Sequence, residues 1–180
     1  MLTIIVPASE VYNEVTNEFS YTKETVLRLE HSLVSISKWE SKWKKPFLGN
    51  DKKTKEELYD YVRCMTTNQN VPEEVYRCLT RDNFNAVGKY IEDTMTATWF
   101  SDTTKRPSME IITSEKIYYW MVAYNIPFEC QKWHLNRLLT LIKVCSLENS
   151  KGSNKMSRSA ILKQNNAINK ARRSKHRTKG

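Results

Sequence analysis

Glycine and proline are scarce in this chain, with four and five residues in 180. So few turn formers argue against a glycine-rich barrel and for helices joined by short polar loops. The glycines stand alone at 49, 88, 152 and 180, so no glycine-rich loop exists to cradle a phosphate. No run approaches the roughly 20 apolar residues that cross a bilayer, and no membrane partner is expected. The opening MLTIIVPASE has no charged leader, and its apolar run Leu2–Val6 is too short for a signal peptide. With no sign of export, Cys64, Cys78, Cys130 and Cys145 are expected to be reduced thiols. The most telling absence is of acid: no Asp or Glu follows Glu148.

What stands there instead is basic. Ser150 to Gly180 contains ten Lys or Arg residues, among them Lys163, Lys170, Arg172, Arg173, Lys175 and Arg177. Residues 1–149 hold the other nineteen basic side chains against all twenty acids, so the net +9 belongs to the tail. A near-neutral body with a basic appendage implies an anionic partner such as nucleic acid, an acidic protein surface or anionic lipid. The five Trp, nine Tyr and five Phe all lie before residue 134 and indicate a folded body there. About 150 residues suffice to bury a sizeable core.

Residues 2–6 (LTIIV) and 25–30 (TVLRLE) read as strands, and the alternating VYNEVTNEFSY between them completes a small antiparallel β-element. From His31 the period becomes helical, with Leu33, Ile36, Trp39 or Glu40, and Trp43 spaced by three or four until Pro46. Thr54 and Glu57 form a capping box, opening a helix with Leu58, Tyr61, Val62 and Met65 on one side. Pro72-Glu73-Glu74 marks another helix start. Asp82 is expected to cap a further helix, with Phe84, Val87, Tyr90 and Ile91 inward. Residues 96–108 read as a loop with a short extended piece near Trp99-Phe100. Two longer helices, Thr113–Asn125 and Phe128–Leu147, are expected to pack as an antiparallel hairpin around the joint Asn125-Ile126-Pro127. In the first, Ile117, Tyr118, Trp120, Met121 and Tyr124 make an apolar face; in the second, Leu135, Leu138, Leu139, Ile142 and Cys145 do so.

Beyond a polar linker, Ser157 can cap a helix whose large apolar residues are Ile161, Leu162 and Ile168. Three such residues cannot anchor it to a core, so the tail is expected to become ordered on a partner. The fold class expected is mainly α with a small N-terminal antiparallel β-element (α+β). Its parts are a β-element over 1–30, a helical body over 31–147, a linker over 148–156 and a flexible basic helix over 157–180.

Few residues suggest chemistry. Cys130 and His134 would be helical neighbours at i, i+4, but catalysis needs a third group to orient the histidine. Both fall beside an apolar stripe, where a buried cysteine commonly serves as a small hydrophobe. Zinc sites usually show two closely spaced ligand pairs, and Cys64 and Cys78 stand isolated. The acid pairs Glu56-Glu57, Glu73-Glu74 and Glu92-Asp93 read as solvated helix ends. No enzyme, metal or cofactor is expected. Trp39 and Trp43, followed by Lys44-Lys45-Pro46-Phe47, could stack on bases, although aromatics at i, i+4 more often mark a buried face. One of the two remains a candidate partner anchor.

Several stretches together carry a resemblance: 27–48 (LRLEHSLVSISKWESKWKKPFL), 61–66 (YVRCMT), 95–100 (MTATWF), 111–145 (IITSEKIYYWMVAYNIPFECQKWHLNRLLTLIKVC) and the tail from Met156. Over nearly its full length the chain resembles the tail assembly chaperones encoded among the structural genes of long-tailed (siphovirus-type) bacteriophages. That resemblance implies a non-enzymatic protein, largely helical, that keeps the tape-measure protein soluble and recruits tail-tube subunits around it. It implies action in the host cytoplasm, absence from the mature virion, and often a longer frameshifted form. The basic tail does not follow from the resemblance. Two alternatives stay open: a nucleic-acid-binding phage protein using the tail on phosphates, and a virion structural part such as a connector or tail-completion protein.

Overall fold

The computed structural model describes residues 1–13, 17–49, 51–100 and 111–152, together with 162, 167 and 168. The chain opens with four strands, β1 (Leu2–Val6), β2 (Ser9–Asn13), β3 (Glu18–Thr22) and β4 (Thr25–Leu29). β1 pairs antiparallel with β4 from Leu2↔Leu29 to Val6↔Thr25, and β2 with β3 from Ser9↔Thr22 to Asn13↔Glu18. The pairing steps from one ladder to the other without a slip, so the four strands are two halves of one long hairpin. It breaks at Pro7, which has no N–H to give a ladder. In the half nearest the body, Ile4, Val6, Leu27 and Leu29 are buried, while Thr3, Ile5, Val26 and Arg28 face outward. This is the period-2 alternation expected of a strand with one wet face.

Both edges of that half are covered. Along β4, Thr67 N–H donates to the Arg28 carbonyl at 2.8 Å and Glu30 N–H to the Met65 carbonyl at 2.9 Å. The Asn68 side chain accepts from Arg28 N–H and donates to the Val26 carbonyl. Along β1, Asn83 Nδ2 donates to the Ile5 carbonyl at 3.0 Å.

Six α-helices follow among the described residues: α1 (Leu33–Trp43), α2 (Lys55–Met65), α3 (Glu73–Arg77), α4 (Arg81–Glu92), α5 (Ser114–Ala123) and α6 (Leu135–Gly152). The fold is therefore mainly helical with a small N-terminal β-element, as the periodicities predict. Three helix starts share one device, a reciprocal capping box: Ser32 with Ser35, Thr54 with Glu57, and Thr80 with Asn83. Such caps contribute about 1 kcal/mol each. Thr80, not Asp82, caps α4; Asp82 lies in the first turn, where its charge suits the helix dipole. α1 ends where Lys44 enters the left-handed region at φ 55°, two residues before Pro46. On α2, Tyr61, Val62 and Met65 are buried as predicted, but Leu58 is 41% exposed. On α4, Val87 and Tyr90 are buried and Phe84 and Ile91 only half-buried.

The expected long helix from Phe128 is not continuous. A 3-10 turn (Phe128–Lys132) comes first, Trp133 is extended at ψ 161°, and α6 starts only at Leu135. The interruption lets the chain tie itself to the start of α1: Leu135 N–H donates to the His31 carbonyl at 2.7 Å, and Ser32 and His134 form a β-bridge. As a result α5 and the 3-10 turn pack mainly on α1, and α5 and α6 are not the tight antiparallel pair that their sequences suggest. Ile117 and Met121 are the fully buried face of α5, with Tyr118, Trp120 and Tyr124 half-buried. On α6, Leu135, Leu138 and Ile142 are buried, and Leu139 and Cys145 half-buried.

By its internal contacts the chain divides into Met1–Val144 and Cys145–Gly180. The predicted linker over 148–156 is helical as far as Gly152, where α6 ends. Within the second unit Leu162, Ala167 and Ile168 are helical, with Leu162 and Ile168 exposed. Among the described residues no helix is long and apolar enough to cross a membrane.

Candidate protein-interaction surfaces

The two candidate tryptophans of α1 part company. Trp39 is 1% exposed, and its Nε1 donates to the Glu57 carbonyl at 2.9 Å. The ring of Phe47 meets it edge-on at 5.2 Å and itself stacks on Tyr61 at 3.9 Å. Trp39 thus belongs to the core and offers no ring to a partner. Trp43, one turn later, is half-buried. Its Nε1 donates to Asp60 Oδ2 at 2.8 Å.

Asp60 is the hub of that surface. Lys42 Nζ donates to its Oδ1 at 2.6 Å and Arg63 Nε at 2.9 Å. Burial alone would push this carboxyl up, but the bonds from Lys42, Trp43 and Arg63 outweigh it and hold the group below the usual carboxylate range. Beside it, the ends of α1, α2 and α3 enclose a groove of about 440 Å³ lined by Trp43, Tyr59 and Tyr76 with Arg63, Glu73 and Arg77. Aromatic walls with charges of both signs suit a peptide chain better than a phosphate backbone, which calls for one sign. Glu57, also on α2, is buried. Lys45 Nζ donates to its Oε1 at 2.7 Å and Thr54 N–H to its Oε2 at 2.7 Å, and these bonds lower its carboxyl below the ordinary range.

Cys130 and His134 are not on one helix. They lie on either side of the break between the 3-10 turn and α6, so the helical neighbourhood assumed for them does not exist. Both nitrogens of His134 are engaged: Nε2–H donates to the Tyr90 carbonyl at 2.9 Å, and Nδ1 accepts from Asn136 N–H at 3.3 Å. Its ring packs on His31 at 5.1 Å and on Tyr90 at 4.9 Å. His31 in turn shares a 2.5 Å hydrogen bond with the Tyr61 hydroxyl. Burial, aided by the neighbouring His134, drives the His31 imidazole down to about 3 and leaves it neutral. Burial also pushes the Tyr61 phenol well above its ordinary value. The two histidines, packed together where α1, α4 and α6 meet, are structural members. Among the described residues no group of three or more His, Cys, Asp or Glu side chains could hold a metal ion, and the four cysteines are free thiols.

Part of the exposed apolar surface falls into two sets. In the far half of the hairpin, the cross-strand pairs Glu10↔Tyr21 and Tyr12↔Phe19 lie on one face. The Tyr12 and Phe19 rings are 5.0 Å apart, and the Tyr12 hydroxyl donates to Asn17. Phe19 is 72% and Tyr21 67% exposed. The opposite face of this arm is anchored at its root, where Thr22 is buried, bonds to the Ser9 carbonyl and touches Cys78 Sγ at 3.3 Å. A second exposed set stands on α5 and the turn after it, namely Tyr119, Val122 and Phe128, and Trp99 is 85% exposed. The alternation of the arm is visible in the sequence, but the aromatic side of the ribbon emerges only with its register. The tail residues Lys163, Lys170, Arg172, Arg173, Lys175 and Arg177 lie outside the described residues.

Compared with known proteins, the chain matches no family model, no curated protein and no solved structure.

Proposed function

We propose that this chain is a non-enzymatic assembly factor of the tail assembly chaperone type, which binds the tape-measure protein and tail-tube subunits of a long-tailed bacteriophage in the host cytoplasm. The observation that carries this reading is the set of large apolar side chains held outward, Phe19 and Tyr21 on the arm and Tyr119 and Val122 on α5, with Trp99 exposed in the segment after α4. Aromatic side chains fixed on rigid elements are the usual anchors of protein interfaces, and concentrated exposed apolar surface marks a binding face. A chaperone for a long, aggregation-prone protein needs such anchors at several places rather than one catalytic cleft. The mixed-charge aromatic groove around Trp43 fits the same role.

A second reading, nucleic-acid binding, is favoured by the ten basic residues after Ser150 with no acid among them. Truncation after Gly152 removes nine of those ten and keeps α6 entire. Under the chaperone reading, co-expression with tape-measure protein keeps the latter soluble, and mass spectrometry finds the chain abundant in infected-cell lysate and absent from purified particles. Under the second reading, the intact protein binds DNA or RNA of any sequence with an affinity that falls steeply with salt, and the truncated one does not. Presence in the particle at fixed stoichiometry identifies a connector or tail-completion part instead.

A further inference from the structure

The N-terminal arm carries a charge and a chemistry that find their complement elsewhere on the same body. Residues 9–22 contain three acids, Glu10, Glu14 and Glu18, and no Lys or Arg. Glu10 shares a face with Tyr12, Phe19 and Tyr21, and the described residues leave that face exposed. Across the corner, between the first turns of α2 and α4, lies a groove of about 410 Å³. Its walls are apolar, made by Leu58, Leu79 and Phe84, and its rim carries Lys55 and Arg81. Neither rim cation forms an ion pair among the described residues. The exposure of Leu58, which the helical pattern alone would bury, is a consequence of this groove standing open.

We propose that two copies of this chain exchange arms, the acidic aromatic face of one arm seating in the Leu58–Leu79–Phe84 groove of the second copy, with Glu10 facing Lys55 and Arg81. Three observations select a second copy as the occupant. The charges are opposite: Glu10 on the docking face meets Lys55 and Arg81, neither of them ion-paired among the described residues. Arm-to-arm pairing along the open strand edges would instead bring six acids together and is disfavoured. Finally, arm and groove spring from one corner: the arm root at Thr22 touches Cys78, and Leu79, the next residue, is a groove wall. That adjacency lets one two-fold axis satisfy both exchanges at once and close the assembly as a dimer. Aromatic side chains bury about 150–250 Å² each, so six of them approach the roughly 1,000 Å² of a specific interface. The exchange takes Phe19 and Tyr21 out of the surface offered to other partners and leaves Tyr119, Val122 and Trp99 exposed for them.

Sedimentation velocity on the full chain across a concentration series tests this. The expected result is a monomer–dimer equilibrium that weakens as salt rises. Phe19→Ser with Tyr21→Ser should weaken the dimer at least about tenfold, and Arg81→Glu comparably. Glu10→Lys combined with Arg81→Glu should restore part of what Arg81→Glu loses, which a merely damaged surface would not. All these positions are exposed or on the groove rim, and an unchanged melting temperature verifies that the variants fold. A protein that stays monomeric at about 100 μM overturns the proposal. So does a dimer that ignores both the arm and the rim substitutions, or a charge swap that restores nothing.

Discussion

Glu40 caps a helix that begins at Ser114: its Oε2 accepts the Ser114 backbone N–H at 2.8 Å, across 74 residues of chain. Its Oε1 accepts the Phe47 N–H at 2.7 Å. The cap residue of α5, Thr113, makes no side-chain cap bond of its own, so α1 supplies the acceptor that α5 lacks. The same carboxylate thereby fixes the turn after α1 and the entry to α5.

Glu40→Ala should therefore destabilise the body well beyond a surface change. It leaves two buried backbone donors unsatisfied, at about 1–3 kcal/mol each. Glu40→Gln keeps one acceptor and should lose less. Urea unfolding midpoints for the two variants check the order, and equal losses would show that the second bond contributes nothing.

Stability should fall as the solution is acidified from neutral. His31 is held down to about 3 in the folded state against about 6.5 when free. A proton therefore binds the unfolded chain more tightly, so folding stability is whole above pH 6.5 and declines between there and about pH 3. One such group gives a slope of about 1.4 kcal/mol per pH unit. Glu57 and Asp60 act in the same direction but in a lower window, because their folded values lie below the ordinary carboxylate range. His31→Leu should flatten the profile between pH 6.5 and 5. An equally steep profile in that variant would assign the dependence to another group.

Leu138→Ala should cost about 2–5 kcal/mol, since Leu138 is fully buried on α6. Leu139→Ala should cost clearly less, because Leu139 is half-buried. Thermal melts of the pair separate them. A reversed order would mean that α6 is rotated about its axis from the position described.

The thiols should be inert to reductant. Dithiothreitol should leave the melting temperature unchanged, because all four cysteines are free. Under native conditions Cys130, which is buried, should react with a thiol reagent only on unfolding. Cys64 should react slowly, since burial and the nearby Asp60 push its thiol up. Fast labelling of Cys130 would show that the 3-10 turn opens.

What the sequence determined by itself is local. The strand alternation of Leu2–Val6 and Thr25–Leu29 follows from a period of two, and α2 is announced by its Thr54–Glu57 box, because strand faces and helix caps depend on residues a few positions apart. The confinement of the net positive charge to the tail is likewise a matter of sequence alone. The tertiary structure decided wherever a distant group outbid a local one. A continuous helix through residues 128–147 satisfies the apolar period, yet the His31 carbonyl and the Ser32 bridge capture Leu135 and His134 and break it. Leu58 has helical spacing for burial, but α4 stands off and leaves a groove. Trp39 and Trp43 look equivalent at i, i+4, and only the approach of α2 puts one against the Glu57 carbonyl in the core and the other at Asp60 on the rim. Periodicity records which residues could share a face; which faces meet depends on long-range partners competing for the same backbone donors and apolar area.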